Sequence, residues 1–194
     1  MVGDIPPSYP DAILKGDVLT ELFEAVQARL KLILPESAFA HTILPPSPTK
    51  QTLQATMKNG ACVALGFAGW HRNENAGAIF RGDAIFPLSI LLTHVTSRDL
   101  YLGTGQLRGM GVTGVMAAIA GGMHSWEVPT IGTCRLQGLH MSQSGDWFEE
   151  RSALITAELI FNDVSLGNAE TLALLEDFIT LQSKITTVLE KKDE

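Results

Sequence analysis

The chain contains little charge, and its basic residues are fewer than its acidic ones. Only 18% of its 194 residues are charged, and 14 Lys and Arg against 21 Asp and Glu give a formal net charge of −7. Intrinsic disorder requires high charge with low hydrophobicity, whereas 45% of this chain is apolar. A nucleic-acid binder needs clustered cations to neutralise phosphates, and here they are scattered. The composition therefore excludes both classes and indicates one globular domain with a substantial core.

Membrane, secretion and disulfide signals are also missing. The longest comparable apolar run, 112–122, is rich in Gly and Ala and falls short of the roughly 20 residues that span a bilayer. Residues 1–7 lack the basic and apolar regions of a signal peptide. The two cysteines, Cys62 and Cys134, lie far apart in apolar, strand-like runs. We therefore expect a protein made in the cytosol, with no membrane segment, two buried reduced thiols and no metal site.

The apolar periodicity predicts an α+β domain. Apolar residues recur every three or four positions from Asp17, a suitable helix N-cap, to Leu34, where Pro35 ends the pattern. The other predicted elements are a helix over 100–122 and strands over 61–67, 84–95, 131–141 and 147–161. In the last strand, small and aliphatic residues alternate with Thr156 and Glu158, which predicts one buried face and one wet or paired face.

These elements predict three regions. Residues 17–165 form a single domain in which two helices pack on a mainly antiparallel sheet. Residues 1–16 form an irregular arm. Residues 166–194 add a C-terminal amphipathic helix and a charged tail.

Two segments are predicted to form surface loops and carry the candidate interface. The three prolines within 41–50 favour an extended path, and the polar, glycine-bounded stretch 69–77 is typical of a long loop or hairpin tip. An exposed Trp beside an Arg is enriched in protein interfaces, although Trp70 could instead fold back over its own sheet. The candidate interface residues are Trp70, His71, Arg72, Asn73, Glu74, Pro45 and Pro46.

No catalytic, cofactor or metal residues are predicted. Gly109, Gly111 and Gly114 match the spacing of a dinucleotide-binding loop, but that loop must directly follow a strand and have an acidic residue about 20 positions on. Here turn and helix residues precede it, and the next acid, Glu127, is close to Pro129 in a loop. Close packing of small residues explains the glycines better. The five histidines lack the spacing of metal ligands, and no nucleophile elbow is present.

The order of the segments resembles a known family. A helix over 19–31 and a proline-rich link lead to a strand ending at 66–69, then to a turn at 96–100 before a glycine-started helix, and finally to a hairpin containing 145–148. Over residues 17–163 this resembles the Mu-like phage tail proteins encoded upstream of the tail sheath, which are similar to tail terminators.

The resemblance implies a structural virion protein, not an enzyme, and no cofactor. We expect a subunit of a homo-oligomeric ring, a hexamer, that caps the tail tube of a contractile tail. It would contact the tube protein and the sheath or neck proteins, and would reside in the virion after synthesis in the host cytoplasm. Net acidity suits a lumen through which DNA passes without being bound. The alternatives are a neck or head–tail connector protein and a small cytosolic enzyme with an unrecognised nucleotide site.

Overall fold

The structure is a computed structural model that describes residues 17–57, 60–74, 81–142 and 151–166. Within these ranges seven strands form one sheet. The helices are α1 (Val18–Ile33), α2 (Lys50–Thr56), α3 (Ser97–Leu102) and α4 (Val112–Met123), with a 3₁₀ turn at Arg108–Met110. The strands are β1 (Ala40–Ile43), β2 (Cys62–Leu65), β3 (Gly69–Arg72), β4 (Arg81–Thr93), β5 (Glu127–Val128), β6 (Gly132–Ser142) and β7 (Ser152–Ser165). The predicted arm 1–16 and, apart from Leu166, the predicted C-terminal helix and tail lie outside the described residues.

The first predicted helix is confirmed. The carboxylate of Asp17 accepts hydrogen bonds from the backbone N–H groups of Leu19 and Thr20, at 3.0 and 3.1 Å. These bonds satisfy donors that lack partners in the first turn. The helix is capped at Leu34, before Pro35, and its buried face packs on the sheet. In the described ranges, no helix is both long and apolar enough to cross a lipid bilayer.

The α+β class is confirmed, but the sheet is mixed and not mainly antiparallel as predicted. Its strand order is β1-β2-β4-β7-β6-β5, and β3 also pairs with β4. The edge strand β1 runs parallel to β2, while β4 pairs antiparallel with β7 along its length. Parallel neighbours need a crossover connection, and α2 lies in that connection. Because of the three prolines, residues 41–50 were predicted to be an extended surface segment, and the β1-α2-β2 unit was not predicted.

Two further element predictions need correction. Gly69–Arg72 were predicted to lie in a loop but form β3, which pairs with the first half of β4. The polar residues of this segment are compatible with a strand, because an edge strand can carry them on its exposed side. The helix predicted over 100–122 is interrupted between α3 and α4, where Gly103 and Gly105 adopt positive φ angles of 72° and 47°. These backbone conformations are incompatible with a continuous right-handed helix.

The two faces of the sheet are covered unequally. On one face α1 and α4 bury the main core, in which Phe86 and Phe161 meet edge to face with ring centroids 5.9 Å apart. On the other face α2 covers a small cluster formed by Leu44, Leu53, Met57, Cys62, Ala64, Leu91 and Leu154. The seven residues of α2 span about 10 Å, whereas the 13 residues of β4 extend for about 43 Å. Among the described residues, α2 therefore covers the second face at one end only.

Candidate functional site

A cavity of about 370 Å³ opens beside α2, where cover of the second face ends. We call it the α2 cavity. Its lining residues come from the segment after β1, from α2, from the turn between β2 and β3, and from β4, β6 and β7: Leu44, Pro45, Pro46, Pro48, Leu53, Gly66, Phe67, Ala68, Pro87, Ser89, Ser142, Leu154 and Thr156. This volume and this mainly apolar lining are typical of small-molecule sites.

One wall of the α2 cavity is stiffened by proline. Pro45, Pro46 and Pro48 have fixed φ angles and no backbone N–H to satisfy. The segment is anchored before the prolines, because the N–H of Leu44 donates to the carbonyl of Leu65 at 2.8 Å. After them it is anchored by α2, which Thr49 caps. The wall therefore loses little conformational entropy when a ligand binds.

The opposite wall is the turn between β2 and β3. The N–H of Gly66 donates to the carbonyl of Pro87 at 2.8 Å. The missing N–H of Pro87 therefore points toward the same turn, which is why a proline is tolerated inside this long strand. A Cβ atom on Gly66 would lie 3.1 Å from Pro87 Cγ and 3.3 Å from Leu44 Cβ. Glycine thus lets the turn pack closely against the wall of the cavity.

The base of the α2 cavity contains a row of hydroxyl groups. The strand register places Thr156 between Ser89 on β4 and His140 on β6. The hydroxyls of Ser142 and Thr156 lie 3.3 Å apart. The row lies at the boundary between the apolar cluster under α2 and the uncovered part of the face. It can orient a ligand whose apolar body fills the cavity.

A second cavity of about 360 Å³ continues along the part of this face that no described helix covers, called here the uncovered part. Three of its residues, Pro87, Ser89 and Thr156, also line the α2 cavity. Its further lining residues are Leu88, Gln137, His140, Ala157 and Glu158. Glu158 and His140 are its ionisable groups, and neither cavity lining, as described, includes Lys or Arg. A ligand that extends from the apolar cavity would therefore meet an acidic rather than a basic surface.

The structure separates the predicted interface residues into two places. Pro45 and Pro46 lie in the wall of the α2 cavity. Trp70 is half-buried against the main core, and its Nε1–H donates to the carbonyl of Val164 at 3.2 Å. The other four, which follow Trp70 along the chain, do not line either cavity: His71, Arg72, Asn73 and Glu74. Their role in an interface stays a prediction.

Sequence reasoning missed the residues at the base of both cavities. Ser89, Thr156 and Glu158 occupy the polar positions of strands whose alternate positions are apolar. That alternation shows that they share a face. The structure confirms the predicted buried face of β7, whereas the opposite face is mixed: Glu158 is exposed, but Leu154 and Ile160 are buried. The pairing of three strands that are distant in sequence, however, is needed to bring Ser89 and His140 together on either side of Thr156.

The glycine motif serves packing in the described structure. Gly111 precedes α4, and a Cβ atom there would overlap the backbone nitrogen of Gly103 and lie 2.6 Å from the carbonyl oxygen of Tyr101. A Cβ atom on Gly114 would lie 2.6 Å from Gly109 Cα. No strand directly precedes the motif, since α3 and the 3₁₀ turn intervene. These contacts support the small-residue explanation.

The two thiols are free and buried, as predicted. Burial raises the pKa of Cys134 from 9.0 to about 12 and also raises the pKa of Cys62. Among the residues that the structure describes, no group of three or more His, Cys, Asp and Glu side chains could hold a metal ion. The protonated, buried thiols are poor nucleophiles.

We predict that neither thiol reacts readily with Ellman's reagent in the folded protein at pH 8, and that both react on unfolding in urea. Because burial raises the folded-state pKa of both thiols, their contribution to stability is fully present below pH 9 and is lost as the pH rises through the raised pKa values, which is about 12 for Cys134. The amount of thionitrobenzoate released with and without urea measures how many thiols react in the folded and the unfolded protein. Rapid release of two equivalents from the folded protein would contradict the burial of these groups.

Comparison with known proteins shows a distant structural likeness. Neither a protein-family model nor a curated protein matches the chain. Among solved structures, the chain is similar to biotin acetyl coenzyme A carboxylase synthetase from Helicobacter pylori with bound biotinylated ATP. The two are 12% identical with a TM-score of 0.31, and the match covers 75% of this chain and 74% of that chain.

The predicted function is corrected on this finding. The matched protein is an enzyme, which contradicts a tail-terminator or virion structural protein and the prediction that the chain is not an enzyme. Of the functions considered, only the small-enzyme alternative agrees with it. A TM-score of 0.31 supports no inference about chemistry, so the proposal below depends on the cavity alone. The family resemblance, the ring partners and the virion location are untested and stay predictions.

Proposed function

We propose that this domain binds a small, predominantly apolar organic molecule in the α2 cavity. The observation that supports this most strongly is the enclosure of about 370 Å³ between a proline-stiffened wall, α2 and the sheet. Its apolar side chains supply the hydrophobic contact, and the hydroxyls of Ser89, Ser142 and Thr156 supply orientation.

The expected affinity follows from the buried apolar area. A polycyclic ligand that buries about 400 Å² of apolar surface gains about 10 kcal/mol. Lost translational and rotational freedom costs at least about 4 kcal/mol. The remainder, at most about 6 kcal/mol, corresponds to a Kd no tighter than about 10–100 µM. Such a site is measurable with a fluorescent apolar probe.

Phosphate-bearing ligands fit this site poorly. Neither cavity lining in the described chain contains Lys or Arg, which are the usual partners of phosphate oxygens. Of the glycines that resemble a dinucleotide loop, Gly111 is in close contact with the backbone of Gly103 and Tyr101, and Gly114 is in close contact with Gly109. The geometry therefore favours an uncharged apolar body over a nucleotide.

The test is a titration with Nile red, a neutral dye whose emission shifts to the blue and brightens in an apolar site. Ser89→Phe places a ring in the base of the cavity, and we expect it to weaken the dye's affinity at least tenfold, about 1.4 kcal/mol. The matched control, Thr93→Phe, adds the same ring on the same strand at an exposed position outside both linings. We expect it to bind the dye as the wild type does.

Circular dichroism of both variants must show the wild-type fold for the comparison to hold. Should Ser89→Phe fail to fold, Ala68→Trp, at an exposed lining position, blocks the cavity from its mouth. Absence of saturable binding to the wild type would overturn the proposal. Equal weakening by Thr93→Phe would overturn the location of the site.

A further inference from the structure

We infer that the ligand is an amine, with its apolar body in the α2 cavity and its ammonium group in the second cavity beside Glu158. This inference rests on the proposed function, since it names the chemical class that the same site selects. The two cavities form one path because Pro87, Ser89 and Thr156 belong to both linings.

The strand register produces a polarity gradient along this path. On β7, Leu154 lies in the apolar cluster under α2, Thr156 lies in the hydroxyl row, and Glu158 lies in the uncovered cavity. Alternate residues on one face of a strand are about 7 Å apart. Thr156 is therefore one step of about 7 Å from Glu158, whereas Leu154 is two steps, about 13 Å, away. An amine whose bicyclic body lies beside Thr156 at the boundary of the α2 cavity has the length to reach the carboxylate.

The electrostatics of the path favour a cation. Within the described residues, Glu158 forms no ion pair that would occupy its carboxylate. The hydroxyls of Ser89 and Thr156, on the way to it, can accept hydrogen bonds from an ammonium group. The net charge of −7 adds a long-range field that attracts cations and repels anions.

His140 is the other ionisable group in the lining of the second cavity, and it lies at the rim; Arg135, opposite Ile160 on β6, lies outside that lining. A Cβ atom on Gly138 would meet the His140 ring, and Gly138 has a positive φ of 65°. The imidazole thus lies over Gly138, and the side chain is exposed. Binding of a ligand carboxylate by His140 would instead make the site prefer an acid to an amine, and the acid probe in the experiment below tests this.

The test compares three probes with one naphthalene body and different end groups: naphthalenemethylamine, naphthalenemethanol and naphthaleneacetic acid. Each competes with Nile red on the full chain at low ionic strength. We expect the amine to bind about tenfold more tightly than the acid, with the alcohol between them. We expect Glu158→Gln to weaken the amine about three- to fivefold and to leave the alcohol unchanged.

Glu127→Gln is the matched control, because it removes one exposed carboxylate from β5, outside both linings. It should leave all three affinities unchanged, and raised salt should reduce the amine's advantage in the wild type. Equal affinity of amine and acid, preference for the acid, or equal effects of the two glutamate variants would overturn the amine inference while Nile red still binds. Failure of Nile red itself to bind would instead overturn the proposed function.

Discussion

Replacing Phe86 by alanine is expected to lower the free energy of unfolding by about 3–5 kcal/mol. Phe86 is completely buried at the centre of β4. Its ring lies 5.9 Å from the rings of Phe23 and Phe161 and 5.2 Å from that of Phe67. The substitution removes these contacts and leaves a hole between α1 and the sheet, which the surrounding elements can fill only in part. Urea unfolding followed by circular dichroism gives the difference.

Phe67→Ala is the matched control, because the Phe67 side chain is 37% exposed and lines the α2 cavity. Its loss should cost about 1 kcal/mol of stability yet weaken Nile red binding. Phe86→Ala acts on the fold first and on the site only through the support of Phe67. A loss below about 1 kcal/mol for Phe86→Ala would contradict the described core.

Gly111→Ala is expected to destabilise the domain by about 2–4 kcal/mol. The added methyl would overlap the Gly103 nitrogen and crowd the carbonyl of Tyr101. That carbonyl also accepts a hydrogen bond from the Thr113 hydroxyl at 2.9 Å, so relief of the overlap would separate α3 from the start of α4. Thermal unfolding of the variant measures the cost.

Gly121→Ala, within α4, is the control, because a Cβ atom there meets nothing within 4 Å. Alanine in a helix interior should stabilise by about 0.5–1 kcal/mol, opposite in sign to Gly111→Ala.

ATP at millimolar concentration should leave the wild-type melting temperature unchanged. A nucleotide-induced rise in melting temperature that Gly111→Ala abolishes would show instead that the glycine motif binds nucleotide.

Local signals in the sequence predicted those elements whose formation depends mainly on residues close together in the chain. Asp17 and Pro35 bound α1 because a cap and a helix breaker act within one turn. Long apolar runs predicted β4 and β6 to within three residues. The strand predicted over 147–161 ends four residues before β7 does, and residues 147–150 of that prediction lie outside the described residues. Short elements were missed, since β1 and α2 are four and seven residues long and the intervening prolines dominate their pattern. The parallel pairing of β1 with β2 depends on that missed crossover.

The candidate site was less accessible to sequence reasoning. Pro45 and Pro46 were predicted to be interface residues on a surface segment and not to form the wall of a cavity. The uncovered face could be inferred from the alternation around Thr156, whereas the neighbours of that residue could not. Ser89 and His140 reach Thr156 only through two strand pairings, and nothing local encodes those pairings.

The most direct test of the proposed site is methyl NMR of the leucine- and isoleucine-labelled protein during titration with Nile red. Methyl signals of Leu44, Leu53 and Leu154, which line the α2 cavity, are expected to shift and saturate together. Those of Leu22 and Ile119, in the core on the other face, are expected to stay in place. Shifts confined to the core methyls, or no saturable shift of the cavity methyls, would contradict a ligand site in the α2 cavity.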